Sequence, residues 1–202
     1  MPINWCEFLS SSDIQFIHDT SMKLLDKVGI LFPEENALGI FKDNGFKVEG
    51  KKVYFSEEQV MAAVRNVPDQ FTLHARNPEM NVVIGNGHPV FAPGYGAPFL
   101  VDAQTGKRKP TIEDYHNLVK LAHALPYQDL SGHLMVEPQD VPSETAHLRM
   151  LHAHMLHSDK PFIGNAEGAC GAQHTMEMIE ILFDGMPDRP VTVGLINPLS
   201  PL

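Results

Sequence analysis

The C-terminal half of the chain imposes the strongest constraint on its fold. Short apolar runs centred near Leu134, Ile163 and Val193 recur at intervals of about 30 residues, with helical periodicity between them from Ser143 to His157 and from Gln173 to Phe183. A strand, a helix and a second strand on that spacing bring the chain back across a sheet in one direction, so consecutive strands pair in parallel. Polar residues gather just past each expected strand, in Glu137-Pro-Gln-Asp140, Asn165-Ala-Glu167 and Asn197-Pro-Leu-Ser200. Strand ends of that kind form the catalytic face of a (β/α)8 barrel of the TIM type, the α/β fold class predicted here. Closure takes eight units and typically about 250 residues. These 202 residues hold three clear units and the start of a fourth at Phe99, so the barrel is incomplete in this chain. Val191 to Ile196 would be left as an apolar strand without a covering helix, and a fragment, or a partner supplying the rest, is expected.

Two regions precede the repeat. Residues 1–70 read as helical. Ser12 and Asp13 are placed to cap a helix with Ile14, Ile17, Leu24, Leu25 and Val28 on one face and Gly29 at its end. A second helix is predicted from about Pro33, with Leu38, Ile40 and Phe41 inside and Gly45 closing it. A short strand follows at Val53 to Phe55, and Ser56 with Gln59 forms a capping box for a third helix through Val64. Residues 71–110 change character to β runs at Phe71-Thr-Leu-His74, Val82-Val-Ile84, Pro89-Val-Phe91 and Phe99-Leu-Val101, read as a small antiparallel section. Residues 111–202 carry the βα units, opened by a helix from Thr111 to Leu125.

Charge narrows the function classes. Fifteen Lys and Arg against 25 Asp and Glu give a formal charge of -10, which repels phosphate backbones and anionic membrane surfaces. Nucleic acid and membrane partners are not expected. The N-terminus has no basic region followed by an apolar one, so a cytoplasmic address is predicted. Cys6 and Cys170 form no Cys-x-x-Cys pair and read as free thiols. His147, His152, His154 and His157 share one helix without the four-residue spacing of a metal pair, and are expected on its surface or at an interface.

Glu137 and Asp140 lie close enough across Pro138 to enter one pocket, although Asp140 could equally cap the helix near Pro142 and Ser143. Glu137 and Glu167, at equivalent places one unit apart, are the predicted catalytic residues, with Asn165 beside them. Tyr95 and Phe99, in the Gly- and Pro-rich run Phe91 to Phe99, are placed to turn ring faces toward a cationic ligand. Packing of that run is the alternative.

Read in order, Leu24-Leu-Asp-Lys-Val-Gly-Ile30, Thr72-Leu-His-Ala-Arg-Asn-Pro78, Phe91-Ala-Pro93 with Gly96-Ala-Pro-Phe99, Asp102 with Gly106-Lys-Arg108, Val136-Glu-Pro-Gln-Asp-Val-Pro142, Ser158-Asp-Lys-Pro-Phe162 and Asn197-Pro-Leu-Ser-Pro-Leu202 resemble the trimethylamine methyltransferase family. The resemblance implies a longer (β/α)8 barrel of which this is the N-terminal portion. It also implies transfer of a methyl group from a tertiary or quaternary amine, such as trimethylamine or glycine betaine, to the cobalt of a corrinoid. No cofactor would be bound directly, because the corrinoid is carried by a partner protein. Tyr95, Phe99, Glu137 and Glu167 would then surround the ammonium, with Asp140, Asn165 and Asn197 orienting the ligand. Self-association is also expected. The competing readings are a barrel hydrolase using Glu137, Asp140 and Glu167, and a non-catalytic or truncated protein that binds quaternary amines.

Overall fold

The computed structural model describes residues 8–196. The chain forms two compact units, one ending at Pro68 and one beginning at Asp69.

In the first unit, helix α1 spans Ser11–Lys27. Its cap is Ser10 rather than Ser12 or Asp13, because Asp13 falls at the third helical position and reaches back to the Ser10 amide, closing a capping box. The helix ends where Gly29, at φ +70°, donates to the Leu24 carbonyl. Strand β1 (Ile30–Leu31) follows, then α2 (Glu35–Asp43), β2 (Lys47–Glu49), β3 (Lys52–Tyr54) and α3 (Glu57–Arg65). The strands form an antiparallel sheet in the order β1-β3-β2. With two or three residues each, none of these strands can carry an alternating pattern; β3 is the one expected from sequence, where Val53-Tyr-Phe55 is a continuous run of strand-favouring residues. Helix α2 buries Leu38, as expected, but Ile40 points outward at 64 % exposure. Phe32, Phe41, Phe46 and Phe55 hold the unit together, with ring centroids between 4.7 and 6.4 Å apart. The capping box of Ser56 and Gln59 forms as the spacing predicts.

The second unit opens with two antiparallel pairs. β4 (Gln70–Leu73) pairs with β5 (Val82–Gly85), and β6 (Leu100–Asp102) with β7 (Gly106–Arg108). The run Pro89 to Phe91 is not a strand: Pro89 has no amide proton, and the Phe91 amide donates to the Asp129 carboxylate at 2.7 Å. Helix α4 (Ile112–Ala124) starts at Thr111 with a capping box to Asp114, which also takes a two-pronged contact from Arg108 at 2.6 and 2.7 Å. Thr111→Ala removes the cap and should lower stability by about 1 kcal/mol, read as a reduced urea midpoint. An unchanged midpoint would show that Arg108 and Asp114 hold this helix end without it.

Helix α5 (Ser143–His157), strand β8 (Phe162–Gly164), helix α6 (Gly168–Phe183) and strand β9 (Thr192–Gly194) complete the unit. β8 and β9 pair in parallel, Ile163 opposite Val193, giving one β-α-β unit as predicted. Two cores flank α5. Met150 and Ala153 pack with Tyr115 and Val119 of α4, while Leu151 packs with Phe162, Ile179 and Val191.

No strand forms near Leu134. The segment runs beside β8, with Ser131 N donating to the Pro161 carbonyl and Ile163 N to the Gly132 carbonyl. Gly132 then turns at φ +106°, a conformation that breaks a strand, and the chain continues to a single bridge between Ala97 and Val136. The observed architecture is therefore mixed helix and strand, with no closed barrel among the described residues.

Candidate functional site

Beyond the C-terminal ends of β8 and β9, Tyr95, His133, Gly164, Ala166, Glu167 and Leu195 line a cleft of about 210 Å3. The end of β8 builds one wall. The Asn165 side chain accepts from the Glu167 amide at 2.8 Å, turning the chain into α6. Thr175, one helical turn and more along α6, bonds the Asn165 backbone and the Gly171 carbonyl, which seats the helix on the strand end. Glu167 precedes the first residue of α6, yet its carboxylate caps nothing and stays exposed at the positive end of the helix dipole.

His133 forms another wall, and its position is set from behind. Its carbonyl accepts from the Met135 amide and from the Tyr115 hydroxyl. A carbonyl cannot donate, so the single Tyr115 proton points to it. The 2.8 Å contact between Tyr115 and His154 therefore requires His154 Nε2–H to donate. Nδ1 of His154 is left to accept from Ser131 at 2.9 Å. The result is a one-directional chain, Ser131 to His154 to Tyr115 to the His133 carbonyl, that needs a neutral imidazole. Burial pushes the His154 pKa down to about 3, in keeping with that assignment. His154 is thus an interior residue, contrary to its expected place at a surface or interface, because it lies on the α5 face between both cores.

Burial also lowers the pKa of His133, against an upward pull from Glu167 and a hydrogen bond to the Ile163 backbone. Glu167 pulls on His147 in the same sense, where burial and His174 push down. His147 and His174 stack with Nε2 and Nδ1 2.9 Å apart.

The predicted site residues part company here. Tyr95 and Glu167 meet at the cleft. Asn165 is buried in the turn that aims Glu167. Asp140 is a cap, but of α4: its Oδ1 accepts from the Ile112 amide at 2.8 Å, whereas α5 starts at Pro142 without a side-chain cap. Glu137 is exposed, with its amide on the Ala97 carbonyl, and does not line the cleft. The Phe99 ring carries Lys107 Nζ 4.1 Å from its centroid, so that face is already covered by a cation of its own hairpin. Asn197 lies outside the described residues. His133 was not singled out, being one of 11 histidines with no motif around it. An aromatic ring and a free carboxylate around one cleft suit a small organic cation.

The described residues hold a parallel β-α-β unit with polar residues just past the strand ends, the edge at which α/β proteins as a class bind small molecules. The family model described as Trimethylamine methyltransferase (MTTB) matches residues 1–202, and the chain belongs to that family. It is 48 % identical over 197 residues to a glycine betaine methyltransferase of Desulfitobacterium hafniense, a match covering 96 % of this chain and 41 % of that protein. It is 27 % identical to an L-carnitine:corrinoid methyltransferase of Eubacterium limosum (96 % and 42 %) and 25 % identical to the trimethylamine methyltransferase MttB of D. hafniense (96 % and 40 %). The chain spans about two fifths of the length of the curated relatives it matches.

Proposed function

We propose that the intact protein moves a methyl group from a tertiary or quaternary amine to the cobalt of a corrinoid carried by a separate protein. The observation that carries this reading is the meeting of Tyr95 and Glu167 at one cleft beyond parallel strands. The names of the relatives, which include a glycine betaine and an L-carnitine methyltransferase, support the substrate class. We further propose that the β-α-β unit belongs to a (β/α)8 barrel, and that residues 1–70, 71–110 and 111–202 are its helical preface, β section and first barrel units. No helix among the described residues is long and apolar enough to cross a membrane, and we take the address as cytoplasmic.

A quaternary ammonium has no N–H, so it cannot be held by hydrogen bonds. The Tyr95 face and the Glu167 charge replace its hydration and fix the orientation of one methyl. Reduced corrinoid supplies the nucleophilic cobalt. The methyl carbon leaves nitrogen with a new bond to cobalt, and the C–N electron pair stays on nitrogen as a neutral amine. No proton is needed for a quaternary substrate, and among the described residues the cleft is lined by one carboxylate, Glu167. The hydrolase reading calls for two cooperating carboxylates, and Glu137 and Asp140 do not line this cleft.

Calorimetry on the intact protein tests the assignment. Glu167→Gln should weaken glycine betaine binding by roughly tenfold or more, and amine-dependent loss of reduced-corrinoid absorbance should fall with it. Failure of the unaltered protein to bind any methylated amine would sink the reading.

A further inference from the structure

We infer that His133 is a specificity-determining residue that selects amines carrying a carboxylate, and that the buried Ser131–His154–Tyr115 chain holds it in place. The inference rests on the amine-binding reading proposed above. The cleft has two polar characters: Glu167 at the mouth of α6 offers negative charge, and His133 is the side chain, among the described residues of the lining, able to become a cationic donor. An ammonium alone satisfies Glu167 and Tyr95 and leaves the half-buried imidazole facing a cation. A zwitterion with its carboxylate a short chain from the nitrogen satisfies all three groups.

The support behind His133 suits a selecting residue. Its carbonyl is fixed by the Tyr115 hydroxyl and the Met135 amide, 2.9 Å away. Tyr115 is anchored through His154 to Ser131, and the His154 ring sits edge-on to Tyr115 and stacked on Phe162 with centroids 5.7 and 5.9 Å away. Little backbone freedom is left at His133 to lose on binding. The titratable groups facing His133 are Glu167 from the turn before α6, Tyr95 from the loop after β5, Tyr115 from α4 and His154 from α5. Burial holds the imidazole toward neutrality, and a carboxylate ligand would add a second negative charge beside it, so zwitterion binding should take up a proton.

The test compares glycine betaine with tetramethylammonium, which presents the same cation without the carboxylate, by calorimetry on the intact protein. In His133→Ala the affinity for glycine betaine should fall by roughly tenfold more than that for tetramethylammonium, with partial rescue in His133→Gln. In the unaltered protein the glycine betaine to tetramethylammonium affinity ratio should decline as pH rises through the imidazole range. That second measurement stands if the variants fail to fold. Equal losses for both ligands, or a flat ratio in the unaltered protein, would overturn the role of His133 while leaving methylated-amine binding intact. Binding of neither ligand by the unaltered protein would remove the amine site itself and the inference with it.

Discussion

Acidification from pH 6.5 toward 3 is expected to lower the unfolding free energy steeply, with His154 alone contributing a slope of up to about 1.4 kcal/mol per pH unit. The sign follows from which state binds the proton. In the unfolded chain His154 titrates at its ordinary value of 6.5, and in the fold burial holds it down to about 3. Between those limits the unfolded chain is protonated and the folded one is not, so each step down in pH favours unfolding. Above 6.5 both states are neutral and the contribution is flat. Burial is the main reason protonation is resisted, since the charged ring would be cut off from water; a second N–H on His154 would also face Ser131, which donates to Nδ1. His133, His147 and His157 are shifted in the same direction and add to the slope. Asp114, held below the usual carboxylate range by Arg108, adds only at lower pH, as its carboxylate begins to protonate in the unfolded chain. Urea titrations between about pH 5.5 and 7, above the carboxylate range of the unfolded chain, therefore report mainly the histidines, and His154→Gln should flatten the curve by up to one proton. Identical slopes in the two proteins would mean that His154 does not titrate on unfolding.

Local rules made much of this fold readable. The boundaries of α4 and α5, and the capping box at Ser56, follow from residues within a few positions of each other. The parallel pairing of β8 with β9 follows from the length of the helix between them. What the sequence hid was settled through space. Asp140 and the amide it caps are 28 residues apart, so proximity to Ser143 pointed to the wrong helix. The run around Leu134 is apolar enough for a strand, but its backbone direction is decided by Gly132, and its His133 and Met135 carbonyls by contacts with Tyr115 and the Ala97 segment. Of the candidate site, Tyr95 and Glu167 could be found as an aromatic in a Gly-Pro run and a carboxylate past a strand. His133 could not, because its part in the cleft depends on partners in three other elements. Phe99 shared every cue that marked Tyr95, and only the fold of its hairpin brings Lys107 over its ring.

The floor of the cleft offers the sharpest test of how fold and site are joined. Gly164 ends β8 and lines the cleft, and a Cβ added there would stand 2.5 Å from Cγ2 of Thr175 and 3.2 Å from Oγ1 of Thr192. The strain would not be in the Gly164 backbone but in the approach of α6. Thr175 is the residue that bonds the Asn165 backbone, so pushing it away moves the turn that aims Glu167. Gly164→Ala should therefore lower stability by about 1–3 kcal/mol, as overpacking does, and weaken glycine betaine binding at the same time. Thr175→Ser keeps the hydroxyl and removes the methyl group in the way. On its own it should cost about 1 kcal/mol through the lost methyl. In combination with Gly164→Ala it should restore much of the stability and the binding, giving a double variant better than either loss predicts. Additive losses in denaturation and calorimetry would show that the clash is relieved elsewhere, and that the strand end and the helix start do not position Glu167 together.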